Sequence, residues 1–344
     1  MNRTGVIASR WRRWAGAVLV VLAAAGLMAP TVALAQEQVA FASRNTGQGR
    51  TYSYKLRDEY TKAIASVSFT VRRDDLEDVN QGLTSMATAE KKILPDLLAR
   101  GNQRCDEIAR KYKGLAHCTV TETNSGPFQI VQHFSKGVDR GAVESDVKRL
   151  MSELMALHDQ LLSRYSFQVT GSGQNRTFGL DYAAVAKRAV DAMVPVARAV
   201  KSADLPIAGT TNGRRIALSR AIAFMQAIPY EALGAQRSTG LGFLPPVALI
   251  DENKGDCDSK SVAYAAIART LAPGTPVAII VVPGHALVGL GIATQPGDVT
   301  ITFGGLTYVL AEPVGPAPAH IGQIGPISEA ALKNKSKINV VRVF

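Results

Sequence analysis

Three residues in the last third of the chain have the types and spacing for acyl-transfer chemistry. Cys257 begins a helix-compatible run straight after Gly255-Asp256. A cysteine at a helix N-terminus meets backbone N–H groups that lower its pKa, and the same amides can hold an oxyanion as it forms. Gly255 lets a substrate backbone approach the sulfur. His285 opens a strand-like run after Pro283-Gly284; it can take the thiol proton and return it to a leaving group. Glu312 closes a later strand-like run, Leu310-Ala311-Glu312-Pro313. If those two strands are antiparallel neighbours, the end of one lies beside the start of the other. Glu312 can then orient the imidazole.

Each residue also has an ordinary reading: a packing cysteine, a histidine in a surface turn, an edge carboxylate. Serine chemistry has no G-x-S-x-G elbow behind it. A metal site would draw on Cys257, His285 and Asp256 or Glu312, but it lacks a second well-placed histidine. His320 falls in a loop-like stretch. His158 lies beside the apolar stripe of a long helix and reads as a packing or surface residue.

The elements that must position these groups follow from pattern. Arg214 to Ala227 reads as a helix stopped by Pro229. A turn-rich segment follows, with Gly240, Gly242, Pro245 and Pro246. Ser261 to Leu271 is helical, and four apolar strands come next: Val277 to Val282, His285 to Ile292, Val299 to Phe303 and Leu306 to Leu310. Gly304-Gly305 fits a tight turn with positive φ. The order is helix, then antiparallel strands. Composition shifts at Ser202 to Gly213, which places a boundary near residue 205.

Upstream, residues 36 to 50 are polar and read as frayed. Ala63, Ala65, Val67, Phe69 and Val71 alternate with polar residues, as in a half-buried strand, with Ile64 as the exception. Ala89 to Lys113 reads as helix with a break near Pro95 or Gly101. Cys118 to Phe134 reads as a hairpin. Ala142 to Arg164 carries leucines and valines at three- and four-residue intervals. A further helix runs from Asp181 to about Val200, bent at Pro195.

The chain has 344 residues, 47% of them hydrophobic, so it can form real cores and is neither disordered nor collagen-like. Its start is basic and acid-free, then apolar from Trp14 to Met28, then Ala33-Leu34-Ala35. That is the pattern of a cleaved bacterial secretory signal over residues 1–35, with an uncleaved anchor as the rival. It points to the periplasm or secretion, with no stable membrane span after cleavage. The formal net charge is +11, or about +7 without the four arginines of the signal, a balance that favours acidic surfaces. Both tryptophans lie in the signal, and no zinc finger or RNA-binding motif is present, so nucleic acid is not an expected partner. In an oxidising compartment the simplest pairing of three cysteines is Cys105 with Cys118, leaving Cys257 free; three buried thiols are the alternative.

In Ile228-Pro229-Tyr230, Gly255-Asp256-Cys257-Asp258-Ser259-Lys260-Ser261, Pro283-Gly284-His285-Ala286-Leu287-Val288 and Gly305 to Pro313, the sequence resembles the transglutaminase-like superfamily of papain-related cysteine enzymes, in a divergent bacterial exported branch. The resemblance covers roughly Arg214 to Ile327. Glu312 stands where most members carry Asp, and Leu287 where they carry Trp. The resemblance implies an α+β fold: a papain/transglutaminase-like domain over 206–344, with the nucleophile's helix packed on an antiparallel sheet. An α+β, helix-rich domain of unknown role over 36–205 would precede it. It implies Cys257 as nucleophile, His285 as base and acid, and Glu312 as orienting carboxylate. Gln226 and Tyr230 are candidates for a second oxyanion donor or a pocket wall, beside the Cys257 N–H. Asp256 or Asp258 would cap the helix, and Lys260 would face solvent or pair with an acid. No metal or organic cofactor is implied. The expected function is cleavage of an amide or peptide bond in a cell-envelope protein or a peptidoglycan peptide. The alternatives are amide crosslinking and a non-catalytic binding or assembly module on the same fold.

Overall fold

The structure, a computed structural model, describes residues 4–7, 37–57, 62–123, 126–171, 176–205, 213–233, 242–315, 320–333 and 338–344. The signal segment expected over residues 1–35 lies outside these, apart from the backbone of residues 4–7. So do the tip of the expected hairpin at 124–125 and most of the expected boundary stretch, 206–212.

The elements in chain order are β1 (Thr4–Ile7), β2 (Glu37–Thr46), β3 (Gly49–Arg57), β4 (Ile64–Arg72), α1 (Arg73–Glu77), α2 (Met86–Lys111), β5 (Ala116–Thr123), β6 (Gly126–Phe134), α3 (Arg140–Ser163), β7 (Phe167–Thr170) and β8 (Thr177–Leu180). Then come α4 (Tyr182–Ser202), α5 (Gly213–Ala227), α6 (Pro246–Glu252), α7 (Cys257–Leu271), β9 (Val277–Val282), β10 (His285–Leu290), β11 (Thr300–Phe303), β12 (Leu306–Ala311), α8 (Pro326–Leu332) and β13 (Asn339–Arg342). The fold is mixed α+β, and its sheets are antiparallel. The described residues form two compact units. One holds β1 and Thr84–Asp181; the other holds residues 37–83 and Tyr182–Phe344. This grouping is discontinuous in sequence, unlike the single boundary read near 205.

In the first unit α2 and α3 pack with the sheet β1-β6-β5. The α2 stripe Ala89, Ile93, Leu97, Gly101, Cys105 and Ile108 is buried at helical spacing. The helix runs unbroken, which corrects the expected break. Pro95 is on the exposed side, where water can serve the carbonyl that a proline leaves without its N–H. Gly101 marks close packing instead: a Cβ there would lie 2.6 Å from Val120 Cγ2. Asn102 fills the edge of β5, donating from Nδ2 to Val120 O (3.1 Å) and accepting the Val120 N–H at Oδ1 (2.9 Å). Cys105 and Cys118 form a disulfide, stapling α2 to β5 as the sequence pairing expects. His158 is fully buried in the α3 face, edge-on to Phe178, so it is a packing residue. Burial, aided by the Arg176 charge, pushes its pKa down to about 4.

In the second unit, residues 37–46 are not frayed. They form β2, paired with β3 along its length. The polar composition that read as fraying is what an exposed edge strand requires. In β4 the expected residues Ala65, Val67, Phe69 and Val71 are buried and Ile64 is exposed, while Ala63, expected on the buried face, precedes the strand and is exposed. Tyr54 and Phe69 meet Phe224 of α5 edge-on, with ring centroids 5.0 and 6.1 Å apart. Tyr52 donates its hydroxyl to Asp251 of α6 (2.5 Å), and Arg50 bonds the same carboxylate oxygen. These contacts draw the early strands into the C-terminal half. The described end of the turn-rich segment is helical: α6 starts with Pro246 at its first turn, a position where the missing N–H and fixed φ suit a helix. Beyond it lies the five-stranded sheet β11-β12-β10-β9-β13. Gly304 and Gly305 make the β11–β12 turn at φ of 54° and 79°. Helix α7 is buried on all sides from Ser259 to Ala268, against α4, α5, α6 and the sheet. That enclosure fixes the height and rotation of its first turn. Among the described residues no helix is long and apolar enough to cross a membrane.

Two stability tests follow for the first unit. Opening the 13-residue Cys105–Cys118 link, by reduction or by a Cys105→Ala/Cys118→Ala pair, should lower unfolding free energy by about 3 kcal/mol in urea titration. His158 stays neutral in the fold while the unfolded chain protonates below pH 6.5. Stability therefore falls as pH drops from 6.5 towards 4, by about 3 kcal/mol in all. A His158→Leu protein should lose that slope, read from urea midpoints at pH 7 and pH 4.5.

Candidate functional site

The local sequence sets the position of Cys257 first. Asp256 is extended and caps α7, its Oδ1 accepting the Ser259 N–H at 2.9 Å. Cys257 is thereby the first helical residue, half-buried and with a free thiol. Gly255 forms a parallel bridge with Tyr230: its N–H donates to Pro229 O and its carbonyl accepts from Glu231 N–H, each at 3.2 Å. Gly255 is buried, and a Cβ there would lie 2.7 Å from Leu249 Cδ1. The glycine thus serves packing against α6, which corrects its reading as an opening for substrate.

Two contacts stitch the first turns of α7 to the start of β10. The Ala286 N–H bonds the Cys257 sulfur, and Ser261 Oγ donates to Ala286 O at 3.1 Å. The residue next to His285 therefore touches the thiol. Strands β10 and β12 are antiparallel neighbours with Val288 opposite Ala311. Continuing that register sets Glu312 opposite Leu287, on the face that His285 shares one alternation away. The two side chains meet: His285 Nε2 and Glu312 Oε1 are 2.7 Å apart.

Glu312 is nearly buried and its oxygens are filled. Oε1 also accepts from Ser328 Oγ at 2.8 Å, and Oε2 from the Gly325 N–H at 2.6 Å. Burial alone would raise its pKa. The bonds from His285, Gly325 and Ser328 outweigh that and hold the carboxyl below the usual range. An ionised Glu312 places the imidazole proton on Nε2 and leaves Nδ1 as the nitrogen for proton exchange.

The thiol differs from expectation. Burial, with Asp258 and Asp256 adding to it, pushes the Cys257 pKa up to about 12, against the Ala286 N–H, which lowers it. The lowering expected from a helix N-terminus is overturned in this resting arrangement, chiefly because the sulfur is desolvated, with Asp258 and Asp256 close by and Sγ donating to Asp258 Oδ1 at 3.5 Å. Asp258 is not the cap; Tyr182 of α4 donates its hydroxyl to Asp258 Oδ2 at 2.5 Å.

The remaining candidates fall into place around this core. Gln226 is buried at the end of α5, and its Nε2 donates to the Glu312 backbone carbonyl at 2.7 Å. That bond ties the end of α5 to the strand end that carries Glu312. Tyr230 is exposed and close enough to Cys257 for the sulfur to affect its titration, after the larger effect of burial. Lys260 neither faces solvent nor pairs with an acid. It is fully buried, its Nζ bonds Ile228 O, and burial pushes its pKa down to about 7 against the pull of Asp256. His320 lies in the loop before α8, its carbonyl accepting the Gln323 N–H. Among the described residues no group of three or more His, Cys, Asp and Glu is placed to hold a metal ion.

Compared with known protein families, curated proteins and solved structures, the chain has no significant match. Its chemistry must be read from its own geometry. The sequence reading missed Tyr182, Gly325 and Ser328. Tyr182 carries no local signal. Gly325-Pro326 does: a proline in the first turn announces a helix start, and a helix start offers N–H groups to a carboxylate.

Glu312→Ala should strip the acceptor from His285, Ser328 and the Gly325 N–H and destabilise by about 2–4 kcal/mol, read by denaturant titration. In the parent protein the carboxylate's contribution is complete above about pH 4.5 and is lost as pH falls through its depressed folded pKa. Glu312→Gln should flatten that acid limb.

Proposed function

We propose that this protein is an exported thiol hydrolase that cleaves an amide or peptide bond through an acyl-enzyme on Cys257. The domain carrying the site would be papain/transglutaminase-like. One observation carries the reading: a histidine fixed at Nε2 by a buried, fully bonded carboxylate directly precedes the residue whose N–H touches a free thiol at a helix start.

In this reading His285 Nδ1 accepts the Cys257 proton as the sulfur attacks the substrate carbonyl. Helix-start N–H groups, that of Cys257 first, stabilise the oxyanion. The imidazolium returns its proton to the departing amine, leaving a thioester on Cys257. Water, deprotonated by His285, attacks the thioester; the acid leaves and the thiol is restored. Glu312 stabilises the imidazolium throughout and stays ionised. An amine acceptor in place of water would give a crosslink; water is favoured as the abundant acceptor. The Cys105–Cys118 disulfide supports an oxidising compartment, and with it the periplasm or the exterior. The basic balance of the chain suits substrates on an acidic envelope, whether proteins or peptidoglycan peptides.

A second reading has its own support. Burial, with Asp258 and Asp256 adding to it, holds the proton on the sulfur, as it would in a binding module or in an enzyme whose site assembles only on its substrate.

Iodoacetamide pulses at graded pH, read by mass spectrometry beside His285→Ala, separate the readings. The hydrolase reading requires the charged imidazole to offset the burial and the two aspartates that raise the resting thiol pKa, so that Cys257 is labelled well below pH 8 and loses that labelling in the variant. Labelling only near or above the free-thiol pKa of about 8.5, indifferent to His285, overturns a preassembled pair.

A further inference from the structure

Two buried polar side chains near the site have no part in the proton transfers above. Gln226 is 4% exposed and Lys260 0%. They sit on different helices, yet both act on the same short stretch of chain. Gln226, at the last turn of α5, donates to the Glu312 carbonyl at 2.7 Å. Two residues later Ile228 offers its carbonyl to Lys260 Nζ of α7. The next residues, Pro229 and Glu231, bond both backbone groups of Gly255, two residues before the nucleophile. Residues 226–231 therefore hold the strand end that carries the carboxylate with one hand and the helix start that carries the thiol with the other.

We propose that Gln226 and Lys260 are positioning residues: they clamp the exit of α5 between Glu312 and the Cys257 turn, and so set the spacing of thiol, imidazole and carboxylate. The inference deepens the thiol-hydrolase reading and rests on it.

Physical chemistry explains why these two types are used. The join must be made inside the core, where a backbone carbonyl needs a donor. Gln226 supplies an amide N–H to Glu312 O at a point where β12 has ended and the ladder no longer serves that carbonyl. Ile228 O lies past the end of α5, among the carbonyls that a helix terminus leaves to outside donors. Lysine is an expensive donor to bury, and its depressed pKa records that cost. A leucine or methionine would fill the same space without it. The cost is understandable if the bond to Ile228 O is needed to fix the segment beside Gly255. A reacting group displaced by about 1 Å can lose about two orders of magnitude in rate.

The test uses the mature chain with Gln226→Met and Lys260→Met, which keep side-chain volume and lose the donor. Three readouts are taken on each, beside the parent and His285→Ala: the pH profile of Cys257 alkylation by iodoacetamide, the urea midpoint, and the downfield proton resonance of the His285 Nε2–Glu312 bond. The expected result is a Lys260→Met midpoint at or above the parent's, with the His285-dependent part of the alkylation rate reduced about tenfold or more in both variants. The imidazole resonance should broaden or shift in Gln226→Met. A structural role alone would move the midpoint and leave the pH profile and the resonance as they are. Parent-like profiles and resonances in both variants overturn the proposal.

If parent alkylation itself ignores His285, the thiol-hydrolase reading fails instead. The clamp is then decided by the imidazole resonance alone: unchanged in both variants, it is refuted; perturbed, it stands as a brace of the His285–Glu312 pair. Should Lys260→Met not fold, Gln226→Met alone decides by the same criteria.

Discussion

A carboxylate remains charged inside a protein only when donors fill its oxygens. Glu312 is such a group, and much of the second unit is arranged around that requirement. The end of β12 delivers the residue to the site, and the strand pairing with β10 brings it to His285. The loop after it must turn back so that α8 can begin at Gly325-Pro326 with an N–H and the Ser328 hydroxyl facing the carboxylate. With those donors in place the group is ionised, and an ionised Glu312 fixes which imidazole nitrogen carries the proton. The tautomer of His285 is thus a consequence of where α8 starts.

The Cys257 thiol faces an opposing pair of influences. A helix start and an Ala286 N–H favour a thiolate; burial and two flanking aspartates disfavour it. At rest the aspartates and the desolvation win. The surroundings of Asp258 reinforce that balance, since Tyr182 holds the carboxylate at bonding distance. A charged imidazole beside the sulfur would act in the other direction, because an opposite charge at close range favours the ionised thiol.

Much of the site was legible one residue at a time. Cys257 at a helix start, His285 at a strand start, the Gly304-Gly305 turn and the antiparallel return to Glu312 all follow from local rules about periodicity, turns and caps. So do the buried stripe of α2 and the alternation of β4. Where local reading failed, it lacked the neighbour that decided the outcome. Residues 37–46 are polar because an edge strand can be, and only β3 makes them a strand. Pro95 did not break α2, because its side of the helix faces water. Lys260 reads as a surface residue until α7 is seen enclosed on all sides, and nothing in the sequence shows that Gln226 bonds the Glu312 carbonyl.

The sequence by itself determined the order of the candidate groups and the elements that carry them, because each depends on contacts close in the chain; it offered Cys105–Cys118 as the simplest pairing, which the fold then shows. Tertiary structure alone decided which groups ionise and which donors are spoken for. Those properties depend on burial and on partners 13 to 76 residues away: Tyr182 for Asp258, Gly325 for Glu312, Ile228 for Lys260. No local pattern encodes such distances, because they arise only when separate helices and strands are packed into one core.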